Sequence, residues 1–474
     1  MTRVLSVASE CVPLVKTGGL ADVAGALPKA LAPIGVEMRT LLPGYRPVLK
    51  AVGKAKKIAS FPALYRGEAV LREVTHAGLR LYILDAPHLF DRDGSPYLDA
   101  SGRDFADNAE RFAALSWVAA EIAVNGAAGW LPDVLHCHDW QAGFAPYFAK
   151  KRSAAAKSIF TIHNMAFQGN APAEKIEALG LDRADFTEAG FEYWGQASAM
   201  KAALVSADRI TTVSPTYARE VTSPEFGFGM EGILTARQAD LSGILNGIDL
   251  DVWDPATDPE VANYKTPRGK ARAKTALRRE FGLPNADGPL CVVVSRLSHQ
   301  KGLDVLLDAL PALADNGGQL ALLGSGDPAL EAAYRRAAEH PNVAVKIGYD
   351  EALSHRMMAG GDAVLVPSRF EPCGLTQLYG LRYGTLPVVA LTGGLVDTVI
   401  HASPMALRSG VATGVQFAPV TAHALAGALL QTVALHRDGP TWSTMQRNAM
   451  KQVVDWGASA TEYASLYNGL TGAA

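Results

Sequence analysis

The chain has 474 residues, 49% of them hydrophobic, and its 44 Lys and Arg against 47 Asp and Glu leave a formal net charge of −3. A single hydrophobic core stops growing at roughly 250–300 residues, so two globular domains are expected. A near-neutral balance offers no basic face for nucleic acid, and no apolar run reaches the roughly 20 residues that cross a bilayer, so neither nucleic acid nor membrane is an expected partner.

The opening, MTRVLSVASE, lacks the long apolar core and small-residue cleavage site of a signal peptide, and Val4–Ala8 reads as a buried strand. Lys16-Thr17-Gly18-Gly19-Leu20-Ala21-Asp22 follows it and leads into a helical pattern over Leu20–Leu31. Further strands are expected at Met38–Leu42, Val134–His136, Ser158–Ile162 and Arg209–Val213. Beyond Gly247–Lys270, where Asp, Pro, Asn and Gly accumulate, come strands at Leu290–Ser295, Leu320–Leu323, Val343–Ile347, Ala363–Val366 and Leu386–Ala390. Leu303–Ala314 and Ala329–Glu339 carry helical spacing between them. These strands are continuous apolar runs, as in a parallel sheet covered on both faces. The expected fold is α/β, with two Rossmann-like, doubly wound domains. Their boundaries are 1–245 and 246–455, and the amphipathic segment 456–474 is expected to pack back on the first domain.

The chemistry-bearing residues fall at strand ends, where open α/β sheets bind ligands. Strand Leu290–Ser295 runs into Arg296-Leu297-Ser298-His299-Gln300-Lys301-Gly302, whose guanidinium and ammonium together suit a diphosphate. After Ala363–Val366 comes Arg369-Phe370-Glu371-Pro372-Cys373-Gly374-Leu375-Thr376-Gln377, with Gly374, Leu375 and Thr376 opening a helix whose amides can face phosphate oxygens. Leu323-Gly324-Ser325-Gly326-Asp327 supplies another strand-end glycine loop. Thr392-Gly393-Gly394-Leu395-Val396-Asp397 echoes Thr17–Asp22, either as a second anion-facing turn or as an ordinary tight turn.

In the first half, His136-Cys137-His138-Asp139 and Ile162-His163-Asn164 follow strands; Asp139 and His163 read better as partners of sugar hydroxyls than as metal ligands, because no matching third ligand is evident. Asp91-Arg92-Asp93 and Asp249-Leu250-Asp251 read as solvated turns. Cys11, Cys137, Cys291 and Cys373 lie far apart without a Cys-x-x-Cys pair, so a reduced, cytoplasmic setting is expected, with no structural metal.

Taken together, Lys16–Val23, His138–Gln141, Thr161–Asn164, Asn246-Gly247-Ile248-Asp249, Ser295–Gly302 and Arg369–Gln377 resemble the glycogen synthase and starch synthase family of retaining GT-B glycosyltransferases, over essentially the whole chain. Many related transferases keep a second Glu eight positions after the first; Tyr379 stands there, as in the glycogen and starch synthase branch.

The resemblance implies two Rossmann-like domains facing each other across a deep cleft. It also implies transfer of glucose from ADP-glucose to the non-reducing end of an α-1,4-glucan with retention of configuration. The implied partners are ADP-glucose, ADP and a glycogen or maltooligosaccharide acceptor, with no metal or other cofactor. By the same resemblance Arg296 and Lys301 hold the diphosphate, helped by Gly18, Gly19 and the Gly374, Leu375 and Thr376 amides. Lys16 and Asp22 belong to the donor side and meet the donor when the cleft closes. Glu371, His163, Asp139, Asn164 and Asn246 hold the transferred glucose, Tyr349 stacks on adenine, and Tyr97 borders the acceptor. Rival readings are a UDP-glucose-dependent hexosyltransferase of the same architecture, a pyridoxal-phosphate phosphorylase and a non-catalytic glucan binder. A dinucleotide oxidoreductase fits less well, since no Gly-x-Gly-x-x-Gly follows the first strand.

Overall fold

The computed structural model describes residues 1–472, which divide into two compact units: Met1–Asn246 joined by the segment from Trp456 onward, and Gly247–Asp455. Unit 1 contains strands β1 (Thr2–Val7), β2 (Val36–Pro43), β3 (Lys56–Leu64), β4 (Gly67–His76), β5 (Leu79–Asp85), β6 (Val134–His138), β7 (Lys157–Ile162), β8 (Asn170–Pro172), β9 (Glu192–Tyr193), β10 (Gln196–Ser198), β11 (Arg209–Thr212) and β12 (Leu241–Gly243). Among the described residues nine of them form one sheet in the order β12-β11-β7-β6-β1-β2-β5-β4-β3. It is parallel from β12 to β5, and β4 and β3 extend it as antiparallel hairpins.

Alternate strand residues serve the two faces. Val4, Met38, Val134 and Ile159 pack with the Gly19–Leu31 helix and with Trp456, Tyr463 and Tyr467 near the C-terminus. Leu5, Leu41, Leu135 and Phe160 pack on the other face with Phe112 and Leu115 of the Asn108–Asn125 helix. The Gly457–Thr471 helix is tied down by Thr2, whose hydroxyl bonds Asn468 Oδ1 at 2.9 Å.

Unit 2 contains β13 (Leu290–Val294), β14 (Gln319–Gly324), β15 (Val343–Ile347), β16 (Ala363–Val366), β17 (Leu386–Ala390) and β18 (Val415–Phe417), all parallel, in the order β15-β14-β13-β16-β17-β18. Counting from β13, this is the 3-2-1-4-5-6 order of a dinucleotide-binding fold, with its switch point between β13 and β16. In unit 1 the chain likewise leaves β1 in opposite directions, so its switch point lies between β1 and β6.

All ten sequence-expected strands form, with ends shifted by at most two residues, and Leu303–Ala314 is a helix over that span. The β3–β5 hairpins were not expected from the sequence. Their turns are built on Tyr65-Arg66 and Ala77-Gly78, all at positive φ, and only the second carries a glycine. Inside unit 2 the Lys270 ammonium is buried among the Met358, Ala359 and Tyr383 carbonyls and Thr385 Oγ1, at 2.8–3.3 Å, tying the ends of two helices together.

Candidate functional site

In unit 2 the loops after β13 and β16 meet at the switch point. Gly302 starts the Leu303–Ala314 helix at φ +65°, and a Cβ there would lie 1.9 Å from the Pro367 carbonyl oxygen. Only glycine allows the loops to lie this close. The Arg369 amide donates to the Gln300 carbonyl at 2.9 Å, and its guanidinium grips Asp304 through two bonds of 2.7 and 2.6 Å. Arg369, expected only as a neighbour of Glu371, is thus a clamp between loops; its hydrogen-bonded ion pair raises its own pKa and lowers that of Asp304.

This clamp sets Lys301 Nζ 2.6 Å from Glu371 Oε2, and Ser368 Oγ donates to the same oxygen at 2.8 Å. Glu371 is buried, with Lys301 half-buried beside it. Gly374, at φ +74°, turns the chain into the Thr376–Tyr383 helix, whose N-terminus has no side-chain cap. Arg296 stands exposed on the β13 loop, and its guanidinium makes no ion pair or hydrogen bond among the described residues. Cation, carboxylate and helix-opening amides therefore share one switch point, a geometry suited to a diphosphate beside a polyhydroxylated group.

The glycine echo resolves differently. The Gly394 amide already donates to the Glu371 and Pro372 carbonyls at 3.1 and 3.2 Å, and a Cβ on Gly393 would lie 1.9 Å from Glu371 O. Of the two readings of this turn the geometry fits the tight turn, with Thr392–Gly394 propping up Glu371. Gly324 and Gly326 have a similar packing role, each leaving room for the backbone of Ser295–Leu297. Tyr349 lies beyond β15, 75% exposed, with its hydroxyl on Glu351. Tyr379 stacks on Trp253, which stacks on His355, at 3.8 and 3.7 Å between centroids. The position where related transferases keep a Glu is thus filled by packing.

In unit 1, Glu10 organises the first glycine loop. Its buried carboxylate accepts from the Thr17 amide and hydroxyl, from the Gly18 amide at 3.2 Å and from the Tyr97 hydroxyl. The anion at this helix N-terminus is therefore the protein's own, and the Gly19 amide is not among its donors. Glu10 was not expected from the sequence, and its place seven residues before the Thr17-Gly18-Gly19 turn is the signal that points to it. Tyr97 is fixed on Ser9 and Glu10, where burial and the Glu10 carboxylate push its pKa well up. Lys16 pairs with Asp22 at 2.9 Å.

Across the switch point, Asp139 sits at φ +55° at the end of β6, and its Oδ1 accepts from the His163 and Asn164 amides at 2.7 and 3.3 Å. Burial raises its pKa to about 7, the two amides oppose this, and the Glu10 charge adds to it. His163 Nε2 meets His138 Nδ1 at 3.0 Å. Burial lowers His138 to about 3 and holds His163 well below the usual histidine range, so both rings are neutral at pH 7. One of these two nitrogens must carry the shared proton. His138 Nε2 is buried without a partner, and an orphaned acceptor costs less than an orphaned N–H. We therefore assign His138 the Nδ1–H tautomer, which leaves His163 with its proton on Nδ1.

His136 is held by Tyr467 and Thr161 at 2.8 and 2.6 Å. Among the described residues no group of three or more His, Cys, Asp or Glu side chains is arranged to hold a metal ion. Asn246, after β12, is 8% exposed and its Oδ1 has no hydrogen-bond partner. Asp139, His163 and Asn164 are thus brought together, Lys16 with Asp22, and Gly18 and Tyr97 with Glu10.

The sequence falls into two matches: the starch synthase catalytic domain over residues 3–236 and glycosyl transferases group 1 over residues 275–451. Glycogen synthase from Jannaschia sp. (strain CCS1) is 60% identical over 468 residues, covering 98% of this chain and 99% of that protein. Glycogen synthase from Paracoccus denitrificans (strain Pd 1222) is also 60% identical, over 472 residues, covering 99% and 100%. The catalytic domain of starch synthase IV from Arabidopsis thaliana, solved bound to ADP and acarbose, is similar at a TM-score of 0.88 and 31% identity over 99% of each chain. Sucrose-phosphate synthase from Thermosynechococcus elongatus, at 19% identity and a TM-score of 0.63, shares the fold alone.

Two Rossmann-like parallel-sheet units with these matches define a glycosyltransferase of the GT-B class. Identity of this extent over the full length places it further: the chain belongs to the glycogen synthase and starch synthase family.

Proposed function

We propose that this enzyme transfers glucose from ADP-glucose to the non-reducing end of an α-1,4-glucan, retaining the α configuration, in a cytoplasmic pathway of glycogen synthesis. The observation that carries the reading is the Lys301–Glu371 pair, set beside a helix N-terminus without a side-chain cap at the unit 2 switch point, in a chain 60% identical to glycogen synthases. ADP and acarbose, a nucleotide and an oligosaccharide, are what the starch synthase IV domain holds.

In this reading Arg296, Lys301 and the Gly374, Leu375 and Thr376 amides take the diphosphate of the donor, and Tyr349, which is exposed, stacks on adenine. Glu371, Asp139, His163, Asn164 and Asn246 take the hydroxyls of the transferred glucose. Lys16, Asp22 and the Gly19 amide supply the donor contacts of unit 1, the Gly18 amide being held by Glu10, and the Tyr97 segment borders the acceptor. Breaking the anomeric C–O bond leaves negative charge on ADP and positive charge on the sugar, so fixed cations and amides stabilise the first and oxygen atoms the second.

Retention follows from attack on the same face. The acceptor hydroxyl bonds to the anomeric carbon as the phosphate leaves, and its proton passes to the departing phosphate oxygen. Glu371 and the His163 carbonyl oxygen steady the cationic sugar, and no metal or further cofactor takes part. ADP release that depends on added glucan, compared for ADP-glucose and UDP-glucose, tests the reading; equal turnover with UDP-glucose defeats the donor assignment. A glucosyl adduct trapped on Glu371 or Asp139 defeats same-face attack.

A further inference from the structure

Trp194 is 83% exposed, a large share for the largest apolar side chain. It occupies a costly position as well. Trp194 and Gly195 are the two central residues of the β9–β10 hairpin, at φ +50° and +77°. Such turns favour Asn-Gly, and a bulky residue there is a backbone outlier. The fold thus accepts strain to hold an indole out in water, the kind of outlier from which a function can be argued.

The neighbouring loop repeats the pattern. Phe228 and Gly229 form a second aromatic-glycine pair at positive φ (+49° and +82°), with Phe228 37% exposed. The two turns are fastened together: the Tyr193 hydroxyl donates to the Phe228 carbonyl at 2.7 Å, and Gln168 Nε2 donates to the same oxygen at 2.9 Å. A Cβ on Gly229 would lie 2.3 Å from the Tyr193 hydroxyl, so this contact depends on glycine. Next to Gln168 stands Phe167, 53% exposed, and its amide donates to the Asn164 carbonyl at 3.3 Å. Three exposed aromatic side chains therefore lie on loops braced to one another, and the series starts three residues from Asn164.

Polar side chains lie on the same loops: Gln168 Nε2 holds the Phe228 carbonyl, Glu192 Oε1 accepts from the Gly195 amide at 2.7 Å, and Gln196 is exposed. A protein-binding patch would be apolar at its centre. Rings set among amides and a carboxylate suit a pyranose instead: its C–H face packs on the negative face of an aromatic ring while its rim hydroxyls bond to amides. We infer that Trp194, with Phe167 and Phe228, forms a stacking ledge for the α-glucan acceptor chain, holding glucose units remote from the one that is extended. The inference rests on the acceptor assigned above.

Trp194→Asn is the informative variant, because Asn suits this turn and removes only the ring. In the full-length protein we expect Trp194→Asn to weaken maltoheptaose binding, measured by calorimetry without donor, by roughly two- to tenfold. The quench of tryptophan fluorescence by maltoheptaose should fall, and KM for glycogen should rise by a similar factor. KM for ADP-glucose and kcat at saturating glycogen should stay at wild-type values, and the thermal midpoint should be no lower than wild type, since Asn relieves the turn.

Wild-type maltoheptaose affinity and glycogen KM in the variant would overturn the ledge while leaving the transferase reading intact. So would a changed oligomeric state with unaltered glucan binding, which would make the patch a protein interface. Conversely, ring-dependent maltoheptaose binding by a protein that releases no ADP on glucan addition would keep the ledge and defeat the transferase reading.

Discussion

The two units place their candidate residues on the same topological feature, the loops beside a parallel-sheet switch point, yet they handle charge in opposite ways. Unit 2 keeps its charged side chains paired or in water: Lys301 on Glu371, Arg369 on Asp304, and Arg296 exposed. The loops after β6 and β7 in unit 1 drain charge by burial instead, lowering His138 and His163 and raising Asp139 to about 7. Paired or wet ions suit an anionic diphosphate. Neutral rings and a carboxyl that accepts from backbone amides suit an uncharged sugar, whose recognition depends on which atom carries a proton.

The strongest way to break this contrast is to remove unit 2's cations. Arg296→Ala should cut kcat by roughly 10²–10³, the effect of losing one fixed donor to developing charge, with a stability change within about 0.5 kcal/mol. Lys301→Ala should lose as much turnover and also lower the thermal midpoint, since the buried Glu371 carboxylate keeps only Ser368 as a side-chain partner. Wild-type turnover in both variants would remove the diphosphate from unit 2. A smaller effect is expected from Gly302→Ala, which forces a Cβ into the Pro367 carbonyl and should cost about 2 kcal/mol or more in denaturant unfolding, with activity falling as the loops part.

Unit 1's side of the contrast is sharpened at His138, a positioning residue for His163. His138→Ala should lower kcat/KM about fivefold to tenfold, the worth of one buried hydrogen bond, and shift the ¹⁵N signals of His163 toward a tautomer mixture. His138→Asn, which can still donate near the former Nδ1, should restore both. Unchanged ¹⁵N signals in the alanine variant would defeat the tautomer assignment.

The strands were legible because a parallel sheet covered on both faces needs continuous apolar runs such as Leu290–Val294 and Ala363–Val366, which no surface helix would carry. The β3–β4 hairpin was not, because its Tyr65-Arg66 turn has no glycine or asparagine to mark it and its strands are half-exposed. Within the site, Lys301 and Glu371 could be named from loop position alone. Their pairing depends on Arg369 bridging to Asp304, 65 residues away in sequence, which no local pattern encodes. The role of Gly393 and Gly394 stayed open between two readings for the same reason: a glycine needed to admit a distant backbone looks identical, in sequence, to one that frees an amide for an anion.

The finest test concerns Asp139. Its folded pKa of about 7 stands above the ordinary 3.8, so between about pH 4 and 7 the folded state holds a proton that the unfolded chain has released. Stability should therefore fall as pH rises through that window, with a slope of at most about 1.4 kcal/mol per pH unit. Asp139→Asn keeps an oxygen for the His163 and Asn164 amides but has no proton to lose. Its thermal midpoint should match wild type near pH 4 and exceed it increasingly toward pH 8, while Arg296→Ala shows no such trend. Parallel midpoint curves for Asp139→Asn and wild type would mean that Asp139 is ionised throughout, its charge held by the two amides, and unit 1 would then manage charge as unit 2 does.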